Sequence, residues 1–512
     1  MTHNDPSSPQ VVLVGAGPGT ADLVTLAGAG WISQADCVVY DRLVDPAMLE
    51  MAPPSAERVY VGKAPRAGSF NQDDINDLLI ARAREGKLVV RLKGGDPLIF
   101  GRGGEEARAL AEAGIAFRII PGVTAASAAA AFAGIPLTER GLSSSVALAT
   151  GHEDPDKDES SLDFTALAGA ETVVFYMSVG KLASVVERLV EAGKDPETPA
   201  AVVQRAATAS QRTVTGTLAS LPEQAGQAGI KPPAVVIIGP TVALRERIAW
   251  LEKLPLFGKT VLVTRPRHQV HELRRMLTDA GASVLLAPAV EVHPPRNPAP
   301  LDSALRRLGE FDWVVLTSVN GVEQVFARLE AAGMDARAFA GVRIAAIGSA
   351  TAEALRAHGL TADLLPESYT TASLAEAMTQ TQDMKSRRVL LARSEQAGDE
   401  PAVSLADAGA VLEEVAAYRT CPSDALRPDV AEALRKGRCD WITFTSASTV
   451  DGLWTVASAA GVREAVKHAR LAAIGPVTAD AMRRRGLEPT AVAAEHTAGG
   501  LVRAIIAAES GR

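Results

Sequence analysis

The C-terminal half of the chain repeats itself, and this duplication restricts its fold more than any other feature. Val261-Leu262-Val263-Thr264-Arg265 returns as Val389-Leu390-Leu391-Ala392-Arg393, and Asp279-Ala280-Gly281-Ala282 returns as Asp407-Ala408-Gly409-Ala410. Trp313-Val314-Val315-Leu316-Thr317-Ser318 returns as Trp441-Ile442-Thr443-Phe444-Thr445-Ser446. Ala346-Ile347-Gly348-Ser349-Ala350-Thr351-Ala352 returns as Ala473-Ile474-Gly475-Pro476-Val477-Thr478-Ala479. The offset is 128 residues for the first three pairs and 127 for the last, so a short insertion or deletion lies before the fourth. Each copy alternates short apolar runs with helical patterns, the mark of parallel α/β architecture. Residues 260–264 read as a strand, 268–280 as a helix closed by Gly281, and 284–287, 314–317 and 344–347 as further strands.

The first half lacks the duplication but shows the same alternation. Residues 11–14 and 37–40 read as buried strands, and 73–84 as a helix with Ile75, Leu78, Leu79 and Ala83 on one stripe. A strand over 88–92 runs into Lys93-Gly94-Gly95-Asp96-Pro97. Residues 243–253 read as a closing helix and 254–258 as a linker, which gives expected domains of 1–254 and 255–512.

At 512 residues the chain is too long for one core, and 47% hydrophobic with 22% charged residues describes a globular protein. Only 4% of residues are aromatic and the net charge is -8, which argues against a nucleic-acid partner. Cys37, Cys421 and Cys439 are far apart, and His268 and His271 read as a solvated helix face, so no metal site is expected. The first ten residues lack a basic, then apolar leader, and no apolar run reaches the roughly 18 residues of a membrane helix. A cytoplasmic location, with no membrane partner, is expected.

Gly15-Ala16-Gly17-Pro18-Gly19-Thr20 follows the first strand and invites comparison with a dinucleotide-binding turn. Thr20 occupies the third small position, and Pro18 removes an N–H from the loop that would bind pyrophosphate. A nicotinamide-dependent oxidoreductase is therefore disfavoured.

An ordered set of motifs points elsewhere: Gly15–Gly19, Tyr40-Asp41-Arg42-Leu43-Val44, Gly62-Lys63, Val90-Arg91-Leu92-Lys93-Gly94-Gly95-Asp96-Pro97, Phe100-Gly101-Arg102-Gly103-Gly104-Glu105-Glu106, Pro121-Gly122-Val123-Thr124-Ala125-Ala126 and Gly134-Ile135-Pro136-Leu137-Thr138. With Thr150-Gly151-His152, Tyr176-Met177 and Gln211-Arg212-Thr213-Val214, they resemble the uroporphyrinogen-III C-methyltransferases of the tetrapyrrole methylase family over about residues 9–253. The resemblance implies a two-lobed fold, S-adenosyl-L-methionine as methyl donor, a tetrapyrrole acceptor and a homodimer formed through this half. It implies that Pro18, Gly94, Gly95, Asp96, Ile99, Thr124, Ala125, Met177 and Ala206 line the donor site, with Ala206 standing where relatives have Gly. It offers Asp41 as base and Lys63 as acid, although Asp41 could equally be a turn acid and Lys63 a solvated or carboxylate-binding cation. Arg42, Arg91 and Arg102 are its partners for the macrocycle carboxylates, unless they serve surface ion pairs. Leu137-Thr138-Glu139-Arg140 departs from the Leu-Thr-His-Arg of relatives and reverses charge near a polyanionic acceptor.

The duplicated half, with Thr264-Arg265-Pro266, Phe444-Thr445-Ser446, Ile474-Gly475-Pro476-Val477-Thr478-Ala479, Tyr418 and His496-Thr497-Ala498-Gly499-Gly500, resembles uroporphyrinogen-III synthases over about 257–510. That family implies one lobe from about 257–292 plus 424–510 and another from 295–421, joined by two extended strands. It implies closure of hydroxymethylbilane with inversion of the last ring, without a metal. Tyr418 is the implied catalytic phenol. Thr264, Ser318, Ser349, Ser446 and Thr478 stand at strand ends, where hydroxyls and free N–H groups could receive carboxylates or could simply cap helices. The alternative keeps the methyltransferase and makes this half a non-catalytic tetrapyrrole-binding module that regulates it. The expected fold is thus α/β throughout: a two-lobed methylase unit, then a duplicated two-lobed parallel synthase unit. With no dehydrogenase–ferrochelatase segment before residue 9, later steps are expected to need another protein.

Overall fold

The computed structural model describes residues 9–62, 70–151, 162–265, 270–368, 370–398 and 401–511. The chain divides into two compact units, Met1–Gly258 and Lys259–Arg512.

In the N-terminal unit, Val11–Gly15 (β1), Cys37–Tyr40 (β2), Glu57–Tyr60 (β3), Val89–Lys93 (β4) and Phe117–Ile120 (β5) form a parallel sheet ordered β3-β2-β4-β1-β5. β1 is apolar on both faces because both are covered. Val12 and Val14 join Val38, Val90 and Leu92 on one side, while Val11 and Leu13 join Cys37, Val39 and Val89 on the other. The expected helix spans Gln72–Arg84; Asn71 and Asp74 form its capping box, and Ile75, Leu79 and Ala83 are its buried stripe.

The second sheet holds Val146–Thr150 (β6), Thr172–Tyr176 (β7), Pro199–Gln204 (β8), Arg212–Thr217 (β9) and Ala234–Ile238 (β10), ordered β6-β7-β10-β8-β9. Here the parallel alternation expected of the first half does not hold. Only β6 and β7 are parallel; the other three pairings are antiparallel. β8 and β9 are joined by residues 205–211, a hairpin-length link too short for a parallel crossover. The expected closing helix is also broken. Arg245–Ile248 is its only α-helical turn, and Ala249 is extended with ψ 129°. Gly134 abuts Ala249, and the Trp250 indole N–H donates to Ala131 O at 2.9 Å, so the chain bends to pack on the helix Ala125–Ala133.

The C-terminal unit contains Thr260–Val263 (β11), Ser283–Leu286 (β12), Val290–His293 (β13), Trp313–Leu316 (β14), Arg343–Ala346 (β15), Arg388–Ser394 (β16), Val411–Pro422 (β17), Trp441–Phe444 (β18), Arg470–Ala473 (β19) and Ala491–Val492 (β20). One sheet is ordered β12-β11-β18-β19-β20 and the other β13-β17-β16-β14-β15. All neighbours are parallel except β13 and β17, where Val290 faces Pro422 and His293 faces Arg419.

The two copies of the repeat have exchanged strands. β11 and β12 open the first copy, yet β11 pairs with β18 of the second. Their counterparts β16 and β17 open the second copy, and β16 pairs with β14 of the first. Both sheets keep equivalent clasps. Asp312 donates its N–H to Arg388 O at 2.8 Å, and its carboxylate accepts the Arg388 N–H at 2.9 Å. Asp440 does the same with Thr260, at 2.9 and 2.8 Å. Trp313 and Trp441 are fully buried beside these clasps, with Arg343 and Arg470 over their rings at 5.5 and 4.9 Å. Among the described residues no helix is long and apolar enough to cross a membrane.

Because Asp440 closes β11 onto β18 across the exchange, Asp440→Ala is expected to destabilise the unit by about 1–3 kcal/mol. A urea midpoint equal to that of the native chain, followed by tryptophan fluorescence, would show that the clasp contributes nothing.

Candidate active sites

In the N-terminal unit, three strand ends meet too closely for side chains. A Cβ on Gly15 would lie 2.4 Å from Gly122 N, and one on Gly122 would lie 2.3 Å from Gly95 O. Gly17 and Gly95 exchange N–H···O bonds of 3.1 and 3.0 Å, with both residues at positive φ. Asp96 ties these loops: Oδ1 accepts the Leu98 N–H at 2.8 Å, and Oδ2 accepts the Gly122 N–H at 3.0 Å. A Cβ on Gly19 would fall 2.5 Å from Ala206 O, so the turn at Pro18 abuts the loop after β8. Thr124 opens the helix Ala125–Ala133; its Oγ1 lies 2.6 Å from Tyr176 Oη, which also accepts the Ala126 N–H at 3.1 Å. Phe100 packs on Tyr176 with ring centroids 4.8 Å apart, leaving Ile99, Phe100 and Met177 exposed. The nine residues expected at the donor site therefore fall around one crevice between the two sheets.

Backbone strain concentrates there as well. Phe100, Arg102, Met177, Arg205 and Ala207 all have φ between 49° and 63°, although none is glycine. Such conformations cost about 1–3 kcal/mol each and persist where the surroundings enforce them, commonly around binding sites.

Asp41 borders this crevice: a Cβ on Gly94 would lie 3.7 Å from its Oδ1. The same oxygen accepts the Leu43 N–H at 3.0 Å, and Oδ2 is 3.7 Å from Arg91 Nη2. Lys63 lies outside the described residues. Arg42 is exposed, and Arg102, also exposed, makes a bidentate pair with Glu105 at 2.8 and 2.7 Å. Arg91 needs correction as a carboxylate partner of substrate. It is 3% exposed, and its guanidinium is held by Glu106 at 3.3 Å and by Leu92 O at 2.8 Å. Glu139 is exposed and exchanges backbone bonds with Ser143.

Below Asp41 lies a group of charges sealed from solvent. Glu106 is 0% exposed; its Oε1 receives Lys93 Nζ at 2.7 Å and Arg91 Nε at 3.3 Å, while Oε2 is buried without a partner. Burial and the neighbouring Arg91 push the Lys93 ammonium below its usual range, against the pull of Glu106.

In the C-terminal unit, Tyr418 is buried on β17 opposite Ser394, where the β16–β17 register shifts. Such a bulge re-aims the side chain beside it. The Tyr418 hydroxyl is 2.9 Å from Ser318 Oγ, which also caps the helix Val319–Ala331 by accepting the Gly321 N–H at 3.0 Å. Burial pushes the phenol above its usual range, opposed by its hydrogen bond with Ser318 and by the Asn320 and Ser394 side chains. Ser446 caps the helix Ala447–Ala459 at 3.2 Å, and Ser349 is exposed in the first turn of the helix Ser349–Ala357. Thr264 and Thr478 need correction as substrate contacts. Thr264 is fully buried with its hydroxyl on Thr443 O at 2.8 Å, and Thr478 is 4% exposed on the inner face of its helix.

Two family models tile this chain: Tetrapyrrole (Corrin/Porphyrin) Methylases over residues 10–222, and Uroporphyrinogen-III synthase HemD over residues 271–503. A porphyrin biosynthesis protein HemD from Ruminiclostridium josui is 38% identical over 443 residues, which cover 86% of this chain and 88% of that protein. The chain belongs to this fused methylase–synthase family. A siroheme synthase from Chromobacterium violaceum is 50% identical over 244 residues, covering 48% of this chain; the chain spans 52% of that relative's length. Among solved structures, the uroporphyrin-III C-methyltransferase from Thermus thermophilus complexed with S-adenosyl homocysteine is 40% identical. It covers 46% of this chain and 99% of its own, with a TM-score of 0.41. The fusion marks a bifunctional chain of tetrapyrrole biosynthesis.

Several residues of the methylase and synthase units carry no sequence signal of their role. Lys93 sits in the same motif as Arg91, but alternation along β4 alone does not tell a buried cation from an exposed one. Glu106 was legible only as one of two adjacent acids, Glu105 and Glu106, of which one meets Arg102 and the other faces inward. Tyr176 was visible beside Met177, yet its contact with Thr124 joins elements 52 residues apart. Glu106→Ala would leave Arg91 and Lys93 as buried cations without their carboxylate, at an expected cost of about 3–5 kcal/mol. Thermal unfolding at neutral pH checks this, and a melting temperature within a degree or so of native would refute it.

Proposed function

We propose that the synthase unit closes hydroxymethylbilane to uroporphyrinogen III, and that the methylase unit methylates that product at C2 and C7 with S-adenosyl-L-methionine to give precorrin-2. The observation that carries this reading is the presence in one chain of both family matches, the product of one chemistry being the substrate of the other.

The donor crevice fits the co-substrate. Gly15 and Gly122 let the loops after β1, β4 and β5 pack main chain on main chain, which draws the residues of those loops to the carboxyl ends of the strands, where open α/β sheets take ligands. When bound, S-adenosyl-L-methionine supplies an electrophilic methyl group on a sulfonium. Pro18, Gly94, Gly95, Asp96, Ile99, Thr124, Ala125, Met177 and Ala206 would hold it, Asp96 chiefly by fixing the loops, since both its oxygens already accept N–H groups. The pyrrole carbon is electron-rich, so holding it in line with the donor matters more than activating it. Asp41, held toward the crevice by Arg91, would take the proton released as the macrocycle rearranges. Arg42 and Arg102 remain the proposed carboxylate partners, and Lys63 the proposed acid.

In the synthase unit Tyr418 would protonate the departing hydroxyl of the bilane, with Ser318, Ser349 and Ser446 at helix starts meeting its carboxylates. No charged nucleophile is needed for that step. The purified chain, given hydroxymethylbilane and S-adenosyl-L-methionine, is expected to form a dimethylated chromophore and to suppress the spontaneous type-I isomer. If the type-I isomer forms as fast as without protein, while supplied uroporphyrinogen III is still methylated, the C-terminal unit is a binding module instead.

A second copy of the chain is the proposed partner of the methylase unit. Strand β6 is a sheet edge, and Val146 and Leu148 point outward from it beside exposed Leu142. An uncovered apolar edge of this kind invites pairing. Val146→Lys combined with Leu148→Glu is expected to give a monomer in light scattering, and an intact dimer would place the interface elsewhere.

A further inference from the structure

Resting on the reading that the C-terminal unit binds and closes hydroxymethylbilane, we propose that His496 is a substrate-binding residue of the synthase, whose imidazole receives one of the bilane carboxylates. Strand order, the packing at Gly475 and the bonding of the ring itself lead to this assignment.

β18, β19 and β20 are parallel neighbours, with Phe444 beside Ala473 and Ala473 beside Val492. Two further bonds carry the ladder past the strand ends. The Ile474 N–H donates to Phe444 O and the Ala493 N–H to Ala473 O, both at 2.9 Å. Ser446, Gly475 and the loop that carries His496 therefore emerge in a row at the carboxyl edge of one sheet, the edge where open α/β sheets take ligands.

The loop is closed on both sides of His496. Thr497 Oγ1 accepts the Gly500 N–H at 3.0 Å and so caps the helix Ala498–Glu509, while the Thr497 N–H donates to Glu495 O at 2.8 Å. A Cβ on Gly500 would lie 2.0 Å from that same Glu495 oxygen. With the backbone fixed in this way, the imidazole lies over Gly475. A Cβ there would fall 2.7 Å from His496 Cδ2 and 2.9 Å from Nε2. Gly475 has φ 179° and ψ 177°, extended backbone that any residue adopts, so its conformation does not call for glycine. The seat of the imidazole does.

The seated ring is half-buried, and among the described residues neither of its nitrogens has a hydrogen-bond or ion-pair partner. The adjacent acid, Glu495, is taken by Arg503 at 2.5 Å. An imidazole carries at least one N–H in every protonation state found near neutral pH, so a carboxylate can accept from it. Each pyrrole of the bilane bears carboxylate side chains. Beside Ser446, His496 thus adds a ring donor, fixed in place, that no described residue uses.

The test is a double-mutant cycle on the full chain, read as synthase kcat and KM for hydroxymethylbilane. His496→Ala is expected to raise KM about tenfold with kcat within about twofold of native, and the retained kcat shows that the unit is folded. Gly475→Ala is expected to raise KM as well, because its methyl group displaces the ring. In a His496→Ala background Gly475→Ala is expected to cost nothing further, since the space the ring filled is then open. An unchanged KM in His496→Ala, a kcat that falls as far as kcat/KM, or losses from the two substitutions that simply add, would overturn the assignment. A native chain that forms no uroporphyrinogen III would instead remove the synthase reading beneath it.

Discussion

Parallel pairing decides where both groups of candidate residues lie. A parallel strand must be followed by a crossover, and the crossovers bring the carboxyl ends of neighbouring strands to one edge of the sheet. In the methylase unit the ends of β1 and β4 meet the loop after β5 so closely that Gly15, Gly95 and Gly122 pack main chain on main chain. In the synthase unit the exchange of strands adds a second consequence. Ser318 follows β14 of the first copy, whereas Tyr418 belongs to the second, yet their hydroxyls lie 2.9 Å apart in one lobe. The exchange therefore brings together hydroxyls that neither copy contains as a pair.

The buried charges of the methylase unit serve geometry more than stability. Removing Arg91, Lys93 and Glu106 from water costs free energy that their mutual attraction only partly returns, and the depressed Lys93 ammonium records that cost. What the group supplies is direction. Arg91 is pinned by Glu106 and by the Leu92 carbonyl, so its remaining nitrogen can face only the Asp41 carboxylate, which is also fixed by the Leu43 N–H. A solvent-exposed arginine such as Arg102 has no such constraint beyond its pairing with Glu105.

Much of this was legible from residue order. The apolar runs marked most strands, and the 128-residue offset marked two equivalent sets of them. An offset shows likeness, however, and not pairing: β11 resembles β16 but neighbours β18. The antiparallel β8–β9 link looked like any other strand-to-strand connection, because its shortness matters only once both strand ends are known. Thr264 and Thr478 misled for a related reason. A hydroxyl at a strand end or helix start can face the cleft or the core, and local sequence does not fix which. Thr264 turns inward to the Thr443 carbonyl, so the β11–β18 pair consumes it.

Hydroxyl groups in the synthase unit do several jobs at once. Ser318, Ser446 and Thr497 each accept an N–H at the start of a helix. A hydroxyl that accepts in this way still has a proton to give, so capping does not exhaust it. Ser446 shares a contact of 2.9 Å with Ser448, and Ser318 Oγ shares one of 2.9 Å with Tyr418 Oη. The helix starts thus convert backbone N–H groups, which point along the helix axis, into O–H donors that can turn toward the side. Donors of that kind need no lysine or arginine beside them. Burial pushes the Tyr418 phenol above its usual range.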